Sequence, residues 1–134
     1  MKAQVSMEYL LLFGFAALMT FPIIVLFFTQ SQDMNDDVAN AQIDRVLREI
    51  VDAADTVYYT GEPARKTVKV YMPKHVESVI VNRNYIQANI TSGRGTFSVT
   101  KSSAANLTGT LTSTVGVHIV KVEAQSNQVN ITDR

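Results

Sequence analysis

The chain has 134 residues, no cysteine and a formal net charge of zero. Without thiols it can build neither a disulfide framework nor a thiolate metal site, so its stability must come from ordinary burial. Once the apolar N-terminal stretch is set aside, the remaining hundred or so residues suffice for one small domain.

The neutral total hides a split. Residues 1–62 carry three bases against nine acids, whereas residues 63–134 carry nine bases against three acids. A basic half invites nucleic acid or a membrane surface as a partner. It equally invites the acidic half of another copy.

Met1, Lys2 and Ala3 form a very short basic leader, and Gln4 to Phe28 follows as an apolar stretch interrupted early by one acid, Glu8. At a helical rise of about 1.5 Å per residue, the run from Tyr9 to Phe28 matches a hydrocarbon layer about 30 Å thick. A secretory signal has an apolar run of about 7 to 15 residues with a small-x-small cleavage site behind it. The run here is longer, and the following Thr29-Gln30-Ser31-Gln32 offers no such site. The apolar helix is therefore expected to stay on the chain.

The helical pattern continues beyond it. Ala39, Ile43, Val46, Ile50, Ala53 and Val57 step by four and three, the spacing of one apolar seam, with Asp36, Asp37, Asp44, Arg45, Arg48, Glu49, Asp52 and Asp55 on the other face. One helix is predicted over 4–60, hydrophobic over 4–29 and amphipathic over 30–60. Pro22 removes a backbone donor and crowds the Leu18 carbonyl, so a bend or loosening can occur there. Gly14, Ala16 and Ala17 allow another helix to approach closely. Gly61 followed by Pro63 is a stop signal.

From Lys66 the period becomes two. Strands are predicted over Lys66–Met72, Val76–Asn82, Tyr85–Thr91, Thr96–Lys101, Leu107–Val115, Val117–Ala124 and Gln128–Thr132. Turn signals separate them, among them Asn82-Arg83-Asn84, Gly93-Arg94-Gly95 and Ser126-Asn127. The expected fold class is α+β: a long N-terminal helix packed against an antiparallel sheet or sandwich over 64–134, with the amphipathic seam as the inner wall of this head.

Little in the head resembles a catalytic centre. His75 and Glu77 alternate on an expected strand and His118 lies in another, but two histidines without a third consistent ligand make a poor metal site, and both read as ordinary strand or loop residues. No glycine-rich loop joins a strand to a helix, and Gly93-Arg94-Gly95 reads as a hairpin turn. Bases scattered singly among Thr and Ser, without a basic helix or paired aromatics, argue against nucleic acid. Neither an enzyme nor a cofactor-binding protein is expected. Asn89, Asn106 and Asn130 each begin an Asn-x-Thr sequon, which favours a glycosylated surface outside the cell.

Glu8 is the most informative single residue. A carboxylate at the edge of an apolar helix costs several kcal/mol if left unpaired in a nonpolar core. It can rest among lipid headgroups beside Tyr9, or a positive group can be supplied to it. Cleavage after Ala3 would create one, the α-amino group of Gln4, one turn away.

Gln4-Val5-Ser6-Met7-Glu8-Tyr9, placed directly after Lys2-Ala3 and before the apolar run, resembles the Q-x-S-x-E-Y class III signal sequence of archaeal type IV pilins. The motif covers six residues, and the helix-plus-β-head plan follows the family in outline. The resemblance implies cleavage between Ala3 and Gln4 by a membrane prepilin peptidase, with the helix retained. Glu8 would then match subunits through the N-terminus of a neighbour's Gln4. An assembly ATPase and a membrane platform protein would draw subunits from the plasma membrane into an extracellular homopolymer serving adhesion. Tyr9, Phe13, Gly14, Ala17 and Pro22 would pack the filament core. Two alternatives stand beside it: a membrane-anchored surface or solute-binding protein, and an archaellum subunit, whose leader differs from this pattern.

Overall fold

The computed structural model describes residues 2–93 and 95–134. They form one helix, α1 (Lys2–Thr60), and seven strands: β1 (Arg65–Met72), β2 (Val76–Asn82), β3 (Tyr85–Ser92), β4 (Gly95–Ser102), β5 (Leu107–Thr110), β6 (Gly116–Gln125) and β7 (Gln128–Asp133). The chain divides into two units, one ending at Asn35 and one spanning Asp36–Arg134. The protein is of the α+β class, as the change of period at Lys66 predicts.

In the first unit α1 is helical throughout, Pro22 included. The Thr20 hydroxyl donates to the Ala16 carbonyl at 2.7 Å, and Thr29 repeats the arrangement with Val25 at 2.9 Å. Each hydroxyl thereby satisfies itself on its own backbone, as a polar group in apolar surroundings must.

The second unit begins with the amphipathic half of α1. Ile43, Val46, Leu47, Ile50, Val51, Ala53, Ala54 and Val57 are buried there, in one cluster with Val68 and Val70 of β1, Ile86, Ala88 and Ile90 of β3, Val120 and Val122 of β6, and Val129 and Ile131 of β7. The wall is wider than the single seam, because Leu47, Val51 and Ala54 fill the helix face between its positions. Each fully buried Leu or Ile contributes about 1.5–3 kcal/mol through removal from water. Gly61 ends the helix with a positive φ of 79°, its amide donating to the Val57 carbonyl at 3.1 Å, a left-handed cap that glycine adopts without a Cβ penalty.

The strands form two sheets, β1-β6-β7-β5 and β2-β3-β4. The links β2–β3, β3–β4 and β6–β7 each leave two residues between antiparallel partners; Arg94, in the second of them, lies outside the described residues. Two expectations are corrected. The head is mixed and not wholly antiparallel, since β5 runs parallel to β7, pairing Leu107 with Val129 and Thr110 with Thr132. Alternation marks a strand but not the direction of its neighbour. The strand expected over Leu107–Val115 also stops at Thr110. Beyond it the backbone bonds to side chains: the Thr112 amide donates to Asp133 Oδ2 at 2.9 Å, and the Thr114 carbonyl faces His118 Nε2 at 2.7 Å.

Gly109 explains how β5 seats beside β7. Its φ is 121°, and a Cβ there would lie 1.9 Å from the Ile131 carbonyl oxygen. Only a residue without a side chain fits so close to the neighbouring backbone.

Candidate functional site

Within the first unit, the residues from Gln4 to Gln32 are exposed, including Tyr9 at 75% and Phe13 at 71%. Aliphatic and aromatic side chains point outward around the whole circumference. Soluble proteins seldom expose so much contiguous apolar surface, and where it occurs it marks a lipid or protein contact. By length and composition this is a helix able to cross a membrane.

Gln4 and Glu8 stand four residues apart, so they occupy neighbouring positions on one helix face. The side chain of Ala3, the other residue at the expected cleavage point, lies outside the described residues. Glu8 is exposed like the apolar residues that follow it. Around Gly14, the side chains of Leu10, Leu11, Phe15 and Leu18 border a shallow notch of about 300 Å³, and no atom lies within 4 Å of a Cβ built on the glycine. A neighbouring side chain could enter it. Ala17 and Pro22 are exposed on the same helix.

In the second unit two acids of the helix, Asp44 and Asp55, and Glu62 just beyond its end make polar contacts with the head that the sequence did not announce. Lys101 Nζ reaches Asp44 Oδ1 at 2.7 Å, while Arg48 holds Asp44 Oδ2 at 3.1 Å. The hydrogen bond from Lys101 is the strongest influence on the Asp44 carboxyl and, against some cost of burial, keeps it below the ordinary carboxylate value. Asp55 Oδ1 accepts from the Ser103 hydroxyl at 2.5 Å and the Ala104 amide at 3.1 Å. Ser126 Oγ meets Glu62 Oε1 at 3.4 Å. The Asp44–Lys101 pair thus joins an acid of the helix to a base of the head inside one chain, a use of opposite charges that needs no second copy.

The two histidines have different surroundings. His75 precedes β2 with a positive φ of 72° and is exposed, so it belongs to the turn and does not alternate with Glu77 along a strand. His118 is buried on the core side of β6, with Nδ1 2.8 Å from Asp133 Oδ2. Among the described residues no group of three or more His, Cys, Asp or Glu is placed to hold a metal ion.

Of the three sequon asparagines, Asn106 is exposed in the link between β4 and β5, whereas Asn89 in β3 and Asn130 in β7 are half-buried. No family model, curated protein or solved structure matches this chain.

Proposed function

We propose that this protein is the structural subunit of an extracellular filament of the archaeal type IV pilus kind, held in the membrane by α1 before assembly. The observation that carries the proposal is the exposed apolar face of α1 from Tyr9 to Phe28, with Glu8 at its front edge. A membrane alone would account for the apolar length. Headgroups could hold Glu8 as well, but they give no reason for the whole sequence Gln4-Val5-Ser6-Met7-Glu8-Tyr9 to stand directly before the apolar run.

In this reading the peptidase cuts before Gln4, the new ammonium group of one copy meets Glu8 of another, and the apolar helices bundle. The gain on leaving lipid is mainly close packing, since lipid tails are already apolar. The Gly14 notch supplies a place for it. The sequons agree with a head facing the outside of the cell.

A second reading, a surface protein anchored permanently by the same helix, is favoured by the membrane-spanning length of α1. Terminal sequencing of mature cell-surface material together with electron microscopy of sheared fibres separates the two. A filament subunit begins at Gln4 and is recovered in the fibres. Retention of Met1, or absence from the fibres, would remove the filament proposal.

A further inference from the structure

We infer that Asn106, and neither Asn89 nor Asn130, is the residue through which this protein carries an N-linked sugar. The inference rests on the head lying outside the cell, as proposed above, but not on assembly into a filament.

In N-glycosylation the side-chain nitrogen of asparagine forms a bond to the anomeric carbon of a sugar held on a lipid phosphate. The bond from that carbon to the phosphate oxygen breaks, the phosphate leaves with the electron pair, and the displaced amide proton passes to a base of the transferase. The co-reactant is a lipid-linked phosphosugar of the host membrane. Two conditions bear on the acceptor. Its Nδ2 must be free to reach the donor, and the backbone from Asn to Thr must be able to enter the transferase with the least loss of strand pairing.

Asn89 meets neither condition. It lies in β3, paired on one side with β2 and on the other with β4. Its Nδ2 donates to Ser78 Oγ at 3.1 Å, and its Oδ1 accepts from Gln87 Nε2 at 3.2 Å. The sequon hydroxyl of Thr91 is itself engaged, donating to Glu77 Oε2 at 2.9 Å. Asn130 is half-buried in β7, a strand flanked by β6 and β5. Exposing either sequon would break a ladder on both sides.

Asn106 precedes β5 and is exposed. Its Nδ2 makes a long contact with the Asn127 carbonyl, at 3.5 Å. The Asn106 carbonyl accepts the Val129 amide at 2.7 Å, and the Thr108 hydroxyl donates to the Val129 carbonyl at 3.4 Å. But β5 is an edge strand, so presenting this sequon disturbs one ladder and not two. Leu107 is buried while Asn106 is exposed and Thr108 half-exposed, so the two sequon side chains share the outward face. The site adjoins the β6–β7 turn, whose Ser126 touches Glu62 just beyond the end of α1. A sugar on Asn106 would therefore stand at the end of the head where the helix stops.

The three sequons fall on separate tryptic fragments, 84–94, 102–121 and 122–134, because Arg83, Arg94, Lys101 and Lys121 lie between them. Mass spectrometry of the full chain from its native cells should find a sugar mass on fragment 102–121 alone. Asn106→Gln should abolish it, and Thr108→Ser should retain it. Sugar on fragment 84–94 or 122–134, or three unmodified fragments, would overturn the inference. A modified Asn106 on protein that keeps Met1 and is absent from fibres would sink the filament reading and leave this one standing; unmodified fragments from sheared fibres would do the reverse.

Discussion

Asp133 Oδ2 lies 2.8 Å from His118 Nδ1, with the two side chains only 5% and 9% exposed. Strand β7 supplies the acid and β6 the imidazole, both from the core side of the sheet. His118 Nε2 lies 2.7 Å from the Thr114 carbonyl, so each ring nitrogen faces an oxygen. The Thr114 hydroxyl also approaches Nε2, at 3.3 Å.

Acid should loosen this corner. Burial tends to raise the Asp133 carboxyl, but the hydrogen bonds from Thr112 and His118 outweigh it and hold the group below its ordinary value. Protonation therefore favours the unfolded chain. The contribution is complete above the unfolded carboxyl value of about 3.9 and disappears as pH falls through the lower folded value. Asp133→Asn is expected to cost about 2 kcal/mol at neutral pH. In urea titrations of the full chain in detergent, the variant should lose less stability on acidification than the parent; equal slopes would contradict the assignment.

The two helix-to-head contacts should differ in weight. Asp44 is partly solvated, and its bond to Lys101 is screened, so Asp44→Asn should cost less than about 1 kcal/mol and depend on salt. Asp55 answers both a hydroxyl and a backbone amide of the β4–β5 link. Asp55→Ala should cost about 1–3 kcal/mol and depend little on salt. Denaturation of each variant at low and high salt checks the order.

Gly109→Ala should be among the most damaging single-methyl additions in the head. A methyl group 1.9 Å from the Ile131 carbonyl oxygen forces β5 away from β7. Amide exchange at Gly109 and Ile131 should accelerate strongly, with the hairpin pairing of β2 and β3 left protected. Unchanged exchange would show that β5 can shift without loss.

Glu8→Ala should leave processing before Gln4 intact and reduce recovery of the subunit in sheared fibres. The readout is the ratio of processed to polymerised protein. Normal fibre yield from the variant would remove the proposed pairing of Glu8 with a neighbour's terminus.

Much of this architecture was legible because burial imposes periods that a sequence records. The steps among Ala39, Ile43, Val46 and Ile50 announce a one-sided helix, and the alternation of Val68, Val70 and Met72 announces a strand with one dry face. What stayed hidden depends on which elements meet. Nothing near Asp55 names Ser103, and Asp133 is one acid beside Thr132 until β6 brings His118 against it. The parallel seating of β5 was equally silent, because Gly109 reads as a turn glycine until the Ile131 carbonyl is seen beside it. For the N-terminal stretch the sequence speaks as loudly as the fold, since side chains exposed on every side of a helix leave their meaning to composition and motif.

The order β1-β6-β7-β5 has a consequence for how the protein is made. A ribosome releases β5 before β6 and β7, yet β7 is the strand that holds β5 in the sheet. The sheet cannot close until residues 128–133 have been synthesised. By then the apolar helix has already been made, so the chain carries a complete α1 ahead of an unfinished head. A frameshift or nick that removes only β7 would leave β5 without its strand partner and β6 with a bare edge, turning the last few residues into the latch on everything made before them.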